Sequence, residues 1–373
     1  MAAARTIRHI VRKEFLQLFR DRRMIAPLFI APVLQLILFG YAATVDVKHI
    51  DYVLVDQSRT ADSRDLATLF SKSGYFDLGA GLGSAKEAEA WLQSGRAKAA
   101  LVIPEDFAKR LARGESAPVQ VLLDGSDANS ATIIQNYIAL ITARFQGTLL
   151  ARAVGIAPGE LNAVEPRIWY NPEFRSSFWM VPGVISMVLI ISTLVMTAMA
   201  ITKEREIGTL EQLIVSPIRP AELIIGKMIP FVVVGCVDIV LVLTAARIVF
   251  GIPLRGSLLF LFPAAFIFIL TTLGIGLFIS TVSRTQGQVI QSAMFFMMPA
   301  FLLSGIFSPI ESMPKVIQAV TYLNPLRHFG RIVRDVLLKG SGWAILWPEV
   351  VVLFVMGVLI FTLSSLRFKK HLG

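Results

Sequence analysis

Long apolar runs separated by charged segments dominate the pattern of this chain. Five uncharged runs are long enough to cross roughly 30 Å of hydrocarbon, namely 25–41, 179–201, 257–282, 288–310 and 350–366. A sixth run at 223–246 is also long enough, but it carries Lys227 and Asp238. The pattern predicts an all-α polytopic membrane protein with six transmembrane helices, the first within residues 25–45 and the others within residues 177–373.

Residues 46–176 are the one long stretch with the composition of a water-soluble domain. Strand-like alternation at 52–55, 99–103 and 119–123 is interleaved with helical patterns at 61–73, 85–93 and 104–113, and one long helix is expected at 127–154. We therefore expect a small α/β domain between helices 1 and 2. The acids and Asn at its turns and strand ends are expected to make solvated turns rather than a metal site, and they are Asp51, Asp56, Asp124, Asp127 and Asn129.

Basic residues cluster at both ends of the chain. Residues 1–24 contain seven Lys or Arg residues, and the tail adds Arg367, Lys369 and Lys370. Because cytoplasmic flanks of membrane spans carry the excess of basic residues, both termini are expected in the cytoplasm. The α/β domain is then extracytoplasmic.

The first 24 residues also show a helical pattern before the first span. Six apolar residues recur at helical spacing, with basic residues on the other face: Ile7, Ile10, Val11, Phe15, Leu18 and Phe19. Such a pattern is typical of an amphipathic helix in a membrane interface. We expect it to lie along the cytoplasmic leaflet.

Composition supports the membrane assignment and limits the alternatives. The 373 residues are 55% hydrophobic and only 17% charged, which is far from a soluble globular domain. The net charge of +10 is expected to meet anionic lipid headgroups rather than nucleic acid, since much of it flanks the spans. The single cysteine, Cys236, lies inside a span, so no intrachain disulfide is expected.

The chain shows no motif for an energy source of its own. A phosphate-binding loop needs Gly-x-x-x-x-Gly-Lys followed by Ser or Thr, whereas Gly226 and Lys227 are preceded at that spacing by Ala221 and followed by Met228. A nucleophile elbow, a zinc-binding helix and a cysteine cluster are also missing from the sequence. We expect no catalytic residue, no metal and no cofactor bound by this chain.

The turn between the second and third spans has a distinctive local pattern at about 203–217. Gly208 should end the helix that leaves the membrane, Thr209 with Gln212 makes a capping box, and Pro217 ends the new short helix. Pro220 and Glu222 suit the first turn of the third span. The pattern predicts a short amphipathic helix at the membrane surface.

At this turn the sequence resembles the ABC-2 type transporter permease family, the membrane-spanning subunits of exporters of the drug and lipid type. The matching residues are Glu204, Arg205, Glu206, Gly208, Thr209, Glu211, Leu213, Ser216 and Pro217, followed by Gly226 and Lys227. In that family this segment is the coupling helix, which contacts the ATP-binding subunit. The resemblance extends to the basic start, the domain after the first span and the broken segment before the last span.

The resemblance implies the partners and the setting. Two copies of an ATP-binding subunit would carry ATP and Mg, and a second permease subunit, identical or paralogous, would complete the pathway. The cargo is expected to be an amphipathic drug-like compound or a lipid, exported across the inner (plasma) membrane. Membrane lipids are further partners, and the sequence leaves open whether a periplasmic adaptor of the membrane-fusion type is needed.

Other residues are candidates for contact with substrate or ions. Asp238 falls near the middle of the third span, where an acid is costly and often functional, although pairing with another span explains it equally well. Arg327, Arg331 and Arg334 share a helical face in the outer segment at about 311–344, where they suit a phosphate, a carboxylate or lipid headgroups. Met297 and Met298 offer adaptable apolar surface, or simply pack.

Two rival functions remain open at this point. A secondary transporter driven by protons or sodium would use Asp238, although no inverted repeat is visible in the sequence. A membrane receptor or assembly protein would use the outer domain and transport nothing, which leaves the turn at 203–217 and Asp238 unexplained.

Overall fold

The computed structural model describes residues 2–20, 22–42, 49–155, 169–171, 175–208 and 220–370. The chain divides into two compact units. One comprises Met1–Thr44 with Ile168–Gly373, and the other comprises Val45–Arg167. Two helices, α1 (Ala2–Arg20) and α2 (Arg22–Ala42), precede the second of these units in the sequence.

The unit at 45–167 is built on a four-stranded sheet of order β2-β1-β3-β4. β1 pairs in parallel with β2 and β3, and β4 is antiparallel to β3. In chain order its elements are β1 (Ile50–Asp56), α3 (Ala61–Lys72), β2 (Phe76–Gly81), α4 (Ala85–Gln93), β3 (Ala99–Ile103), α5 (Phe107–Ala112), β4 (Gln120–Leu123) and α6 (Ala128–Val154). Three of these strands match the predicted ones, whereas β2 was missed.

Burial explains why the sheet forms. Val53, Val55, Ala100 and Val102 are buried against α4 on one side. The rings of Tyr52, Phe70 and Phe76 cluster with centroids 5.3 to 5.9 Å apart. Apolar positions in β1 and β3 thus hold the parallel strands together.

Asp56 and Asp124 make the turn hydrogen bonds expected of them. The Asp56 carboxylate accepts hydrogen bonds from Arg59 N (2.9 Å) and Ser63 Oγ (2.8 Å). The Asp124 carboxylate accepts from the amide and the hydroxyl of Ser126, and these bonds lower the pKa of Asp124. Among the described residues no three potential ligands gather as a metal site would require.

The helices of the other unit continue from residue 176. They are α7 (Ser176–Glu206), α8 (Pro220–Phe250), α9 (Leu258–Val282), α10 (Gln286–Leu302), α11 (Lys315–Thr321), α12 (Pro325–Arg334) and α13 (Trp343–Lys370). A 3₁₀ turn at Ile310–Ser312 precedes α11, and a π-helix at Asp335–Lys339 follows α12. Short helices therefore occupy the segment predicted to be broken.

The prediction of six spans is confirmed for four helices. Within the described residues, four helices are long and apolar enough to cross a membrane, at Ser176–Glu206, Ala221–Phe250, Leu258–Val282 and Trp343–Arg367. The apolar stretch described in α2, Leu28–Ala42, is shorter.

The predicted span at 288–310 was too long. Helix α10 ends at Leu302 after 17 residues, about 25 Å at 1.5 Å per residue. Gly305 follows this end with the left-handed φ of +78°, and the Ser304 hydroxyl donates to Phe301 O (2.6 Å) and accepts from Ile306 N (3.2 Å). A local side-chain bond of this kind competes with helix continuation.

Helix α12 is more buried than the polarity of its segment suggests. Leu326, Phe329, Ile332 and Val333 are all fully buried in the main core. The ring of Phe329 stacks on Phe268 of α9, with centroids 4.1 Å apart. The segment between α10 and α13 is therefore part of the helical core on one side and polar on the other.

Candidate functional site

The end of α7 is where the sequence placed the coupling turn. The helix ends at Glu206, and Gly208 follows with φ +80°, the left-handed conformation that glycine adopts without strain. Gly208 N donates to Arg205 O (3.1 Å), which closes the last turn. The predicted stop at Gly208 is thus present. Thr209, Glu211 and Leu213, with Ser216 and Pro217, lie outside the described residues.

Glu204, Arg205 and Glu206 form the last turn of α7, before the predicted stop at Gly208. The segment predicted at about 203–217 therefore begins within α7, because no helix-breaking residue precedes Gly208. The next described helix, α8, begins at Pro220 as predicted.

Four charged side chains from three helices meet beside this turn, and we call them the ionic junction: Lys13 and Glu14 of α1, Glu204 of α7, and Lys227 of α8. Lys227 Nζ lies 2.6 Å from Glu204 Oε2 and 3.4 Å from Glu14 Oε1. Lys13 Nζ lies 3.4 Å from Glu204 Oε1. The Lys227 side chain is only 5% exposed. The junction joins the two helices that flank the segment at 207–219.

A glycine allows α1 to reach this position. A Cβ at Gly226 would lie 2.8 Å from Ile10 Cγ2 and 2.9 Å from Ile10 Cβ. Ile10 is buried there with Leu223, Ile224 and Met228 of α8. Part of the apolar face of α1 therefore packs on protein, whereas Leu16 and Phe19 remain exposed. Gly226 and Lys227 lie inside a helix, so they do not form a phosphate loop.

Arg205 and Glu206 bind the turn between α9 and α10. Arg205 Nη1 donates to the carbonyl oxygens of Ser280 and Ser283, both at 3.0 Å, at the C-terminal end of α9. Glu206 Oε2 accepts from Gln286 Nε2 (2.9 Å) and Gln286 N (3.3 Å), at the first residue of α10. A cation at a helix C-terminus and an anion at an N-terminus both match the helix dipole.

The structure thus brings three of the predicted coupling residues together and pairs each of them with other helices of the same unit. Glu204 binds α1 and α8, while Arg205 and Glu206 bind α9 and α10. The sequence analysis missed Lys13 and Glu14 as members of this site. Two features of the sequence could have indicated the junction. Glu14 is an acid within the basic first helix, and Lys227 is a lysine within an apolar span.

Asp238 lies apart from the junction, further along α8. Its side chain is fully buried, and neither carboxylate oxygen has a hydrogen-bond partner among the described residues. The hydroxyl of Ser192 on α7 faces it, but that hydroxyl donates to Leu189 O (3.2 Å). A buried acid without a partner is costly as an anion.

The three predicted arginines line one polar pocket but have different partners. Arg327 lies over the ring of Tyr322 (3.6 Å) and donates to Thr321 Oγ1 and Gln318 O. Arg331 pairs with Glu349 (2.6 Å).

Arg334 lies over the Trp179 ring (3.7 Å). Its Nε has no partner within the described part of the chain. Burial lowers the pKa of Arg334 to about 10, and Asp335 and Glu311 oppose that shift.

His328 is buried, unlike the exposed Arg331. Its Nδ1 lies 2.5 Å from Glu349 Oε2, and its Nε2 lies 2.9 Å from Tyr322 O. Glu349 therefore binds both His328 and Arg331, which ties α12 to α13.

The two predicted methionines point in different directions. Met297 is buried in the main core, whereas Met298 is exposed. Neither lines the large apolar groove between α9, α10 and α13. That groove has a volume of about 730 Å³ and is lined by Ile275, Phe278, Ile279, Val282, Gln291, Ser292, Phe295, Phe296, Leu323, Pro325, Ile360 and Leu363.

Comparison with known proteins accounts for the charged turn and the helical unit together. The family model described as ABC-2 family transporter protein matches residues 22–366. The chain belongs to the ABC-2 transporter family. The match runs from the start of α2 almost to the end of α13, so it includes the end of α7, the start of α8 and the polar pocket.

Several ABC-2 relatives from Escherichia coli strain K12 match most of the chain. The probable multidrug ABC transporter permease YbhR is 34% identical over 93% of this chain and 95% of its own length. The probable multidrug ABC transporter permease YbhS is 32% identical over 99% of this chain and 98% of its own length. The inner membrane transport permease YhhJ is 31% identical over 78% of each chain.

Membership of the ABC-2 family fixes the general role. The chain is a multi-pass membrane protein and the permease part of an ABC exporter, a transporter subunit rather than a catalytic enzyme. The family implies an ATP-binding partner and a dimeric arrangement.

Proposed function

We propose that this chain is the inner-membrane permease subunit of an exporter that moves an amphipathic drug-like compound or a lipid out of the cytoplasm or the inner leaflet. Two copies of a separate subunit bind ATP and Mg and hydrolyse the ATP. Both termini and the turn after α7 lie on the cytoplasmic side, and a second permease subunit completes the pathway. The names of the relatives, two of them multidrug permeases, support this cargo class.

The ionic junction is the observation that carries the proposal. The segment at 207–219 leaves α7 beside Glu204 and enters α8 seven residues before Lys227, and these two side chains are 2.6 Å apart. Arg205 and Glu206 connect the same turn to α9 and α10. A displacement of this segment by a partner therefore moves α1 and α7 to α10 together, rather than one helix alone.

The cargo class draws further support from the apolar groove. Its volume of about 730 Å³ falls within the range of roughly 300–1,000 Å³ typical of sites for drug-sized ligands. Its lining is almost entirely aliphatic and aromatic, with Gln291 and Ser292 as polar exceptions. An amphipathic compound would find both kinds of contact there.

The test of ATP coupling uses two variants at the turn. Glu206→Lys loses both bonds to Gln286 and places a cation at the N-terminus of α10, and Gly208→Pro cannot adopt φ +80°. Each should leave the chain inserted and bound to its ATP-binding partner while abolishing the stimulation of ATP hydrolysis by cargo. Lys315→Gln, an exposed change on α11, is the matched control. Normal stimulation in both turn variants would overturn the coupling role.

Asp238 supports a second candidate, transport driven by protons or sodium. Its buried carboxylate has no hydrogen-bond partner among the described residues. In this mechanism Asp238→Asn abolishes transport into proteoliposomes under an ion gradient, and the transport needs no ATP. Transport that stops without ATP and continues in Asp238→Asn excludes this mechanism.

A further inference from the structure

A polar pocket of about 470 Å³ lies between the start of α7, the chain after α10, and α12 with its π-helix. Its wall carries four basic and two acidic side chains: Arg327, Arg331, Arg334, Lys339, Glu311 and Asp335. The excess of positive charge favours an anionic occupant. This pocket is separate from the ionic junction and shares no residue with the apolar groove.

Three of the four bases already have strong partners. Arg331 binds Glu349 at 2.6 Å, and Lys339 binds Asp335 at 2.7 Å. Arg327 donates to Gln318 O at 3.2 Å and covers the ring of Tyr322. The contacts of these three side chains therefore stabilise α12 and the π-helix, and they leave little of the positive charge for a ligand.

Arg334 is different from the other three. Its guanidinium lies over the Trp179 ring, and its buried Nε has no hydrogen-bond partner among the residues that the structure describes. Glu311 and Asp335 attract it without making a hydrogen bond. A largely buried cation is unfavourable unless an anion lies close to it, and Arg334 lines the pocket.

The rest of the wall suits an apolar body. Phe178 and Trp179 contribute rings from α7, and Ile306 contributes an aliphatic side chain after α10. We propose that the polar pocket binds an amphipathic organic anion whose phosphate or carboxylate pairs with Arg334 while its apolar part contacts Phe178, Trp179 and Ile306. Guanidinium groups bind phosphate and carboxylate groups through paired hydrogen bonds.

Two sources can supply this chemistry, a membrane phospholipid and an exported amphiphile. The site does not depend on coupling to ATP, so it can be tested in the full-length chain alone, whatever the outcome of the coupling test. Radiolabelled decanoate is a suitable probe, because it has a carboxylate and a short apolar chain. Binding is measured by scintillation proximity in nanodiscs of phosphatidylcholine.

Arg334→Gln should weaken decanoate binding about tenfold or more, the typical effect of losing a hydrogen bond to a charged group. Lys315→Gln removes one exposed positive charge from α11, outside the pocket, and should leave the affinity unchanged. Glu311→Gln removes a competing carboxylate and should tighten binding about threefold. Arg334→Lys retains the charge but loses the planar stack, so it should bind with intermediate affinity.

Three results would overturn the proposed site: the unaltered chain shows no saturable decanoate binding, Arg334→Gln binds decanoate as tightly as the unaltered chain, or Lys315→Gln loses as much affinity as Arg334→Gln. If Arg334→Gln fails to fold, Glu311→Gln still decides, since unchanged or weaker binding contradicts the proposal.

The source is distinguished by replacing part of the phosphatidylcholine with phosphatidylglycerol. If a phospholipid headgroup occupies the pocket, phosphatidylglycerol raises the apparent Kd for decanoate in the unaltered chain much more than in Arg334→Gln. If the two shifts are equal, the phospholipid acts only through the general surface potential. The occupant is then an exported amphiphile.

Discussion

At the scale of single residues, the charged turn at the end of α7 works by pairing over long distances in the sequence. Lys13 and Glu204 are 191 positions apart, and Arg205 contacts Ser280 and Ser283, 75 and 78 positions away. The local pattern predicted that Glu204, Arg205 and Glu206 belong to one site. It held no information about their partners, because no periodicity relates α1 to α8 or α7 to α9.

Lys227 should be the most sensitive member of the ionic junction. Lys227→Met would leave Glu14 and Glu204 nearly buried with only the half-exposed Lys13 beside them, and breaking a buried pair on one side costs up to about 3–5 kcal/mol. We expect a clearly lower thermal unfolding temperature in detergent. The double variant Lys227→Met with Glu204→Gln should recover part of the loss, because it removes one of the unpaired charges.

The matched control for Lys227→Met is Lys315→Met, which removes an exposed lysine. It should leave the unfolding temperature unchanged. Equal unfolding temperatures for Lys227→Met and the unaltered chain would show that the junction contributes nothing to stability. If the double variant unfolds at the same temperature as Lys227→Met alone, the loss of stability comes from Glu14 and not from Glu204.

At the scale of elements, local patterns predicted the parts whose burial is regular. β1, β3 and β4 were predicted because their apolar residues alternate or run together. β2 was missed because Phe76–Gly81 contains two glycines and an aspartate, and most of its residues are exposed at the sheet edge. Its position follows from pairing with β1, which is a tertiary effect.

The same reasoning explains the corrections among the helices. The apolar run at 288–310 does not reveal that α10 ends before Ser304 and the left-handed Gly305, because neither a side-chain hydrogen bond nor a glycine conformation changes the hydropathy. The charged segment at 311–344 contains a buried helix because α12 separates its apolar residues from its arginines on two faces. Average polarity does not show such a division.

Close packing of α1 on α8 should depend on Gly226. Gly226→Ala would place a Cβ within 3 Å of Ile10, and overpacking of this kind costs about 1–3 kcal/mol. We expect a lower unfolding temperature and weaker coupling of cargo to ATP hydrolysis. Ile10→Ala in the same chain should restore space and recover part of both properties.

Gly287→Ala is the control for Gly226→Ala. It lies in α10, where the nearest atom to the new Cβ would be 3.9 Å away, so stability and coupling should be unchanged. A rescue that fails in the double variant with Ile10→Ala would indicate that Gly226 matters for a reason other than contact with α1.

At the scale of the whole molecule, the ion pairs described in the helical unit gather at two places. The ionic junction joins α1, α7 and α8, with Arg205 and Glu206 extending it to α9 and α10. The network of His328, Arg331 and Glu349 joins α12 to α13. Apolar contacts fill the core between them, centred on α7 and α9. Under the proposed coupling role, displacement of the charged turn is expected to move several of these helices together.

The apolar groove provides the test of cargo binding at this scale. Ser292→Phe would place a ring in the groove between α9, α10 and α13, and it should raise the concentration of an amphipathic fluorescent dye needed for half-maximal stimulation of ATP hydrolysis several-fold. The basal ATPase rate of the assembled transporter should not change, because the ionic junction is untouched.

Met294→Phe is the matched control for the groove. Met294 is on the same helix, is exposed, and does not line the groove, so a ring there should leave the stimulation unchanged. Equal effects of the two changes would mean that α10 responds to added bulk in general. No effect of Ser292→Phe would place the cargo outside the groove. A selective effect of Ser292→Phe would locate cargo binding between α9, α10 and α13.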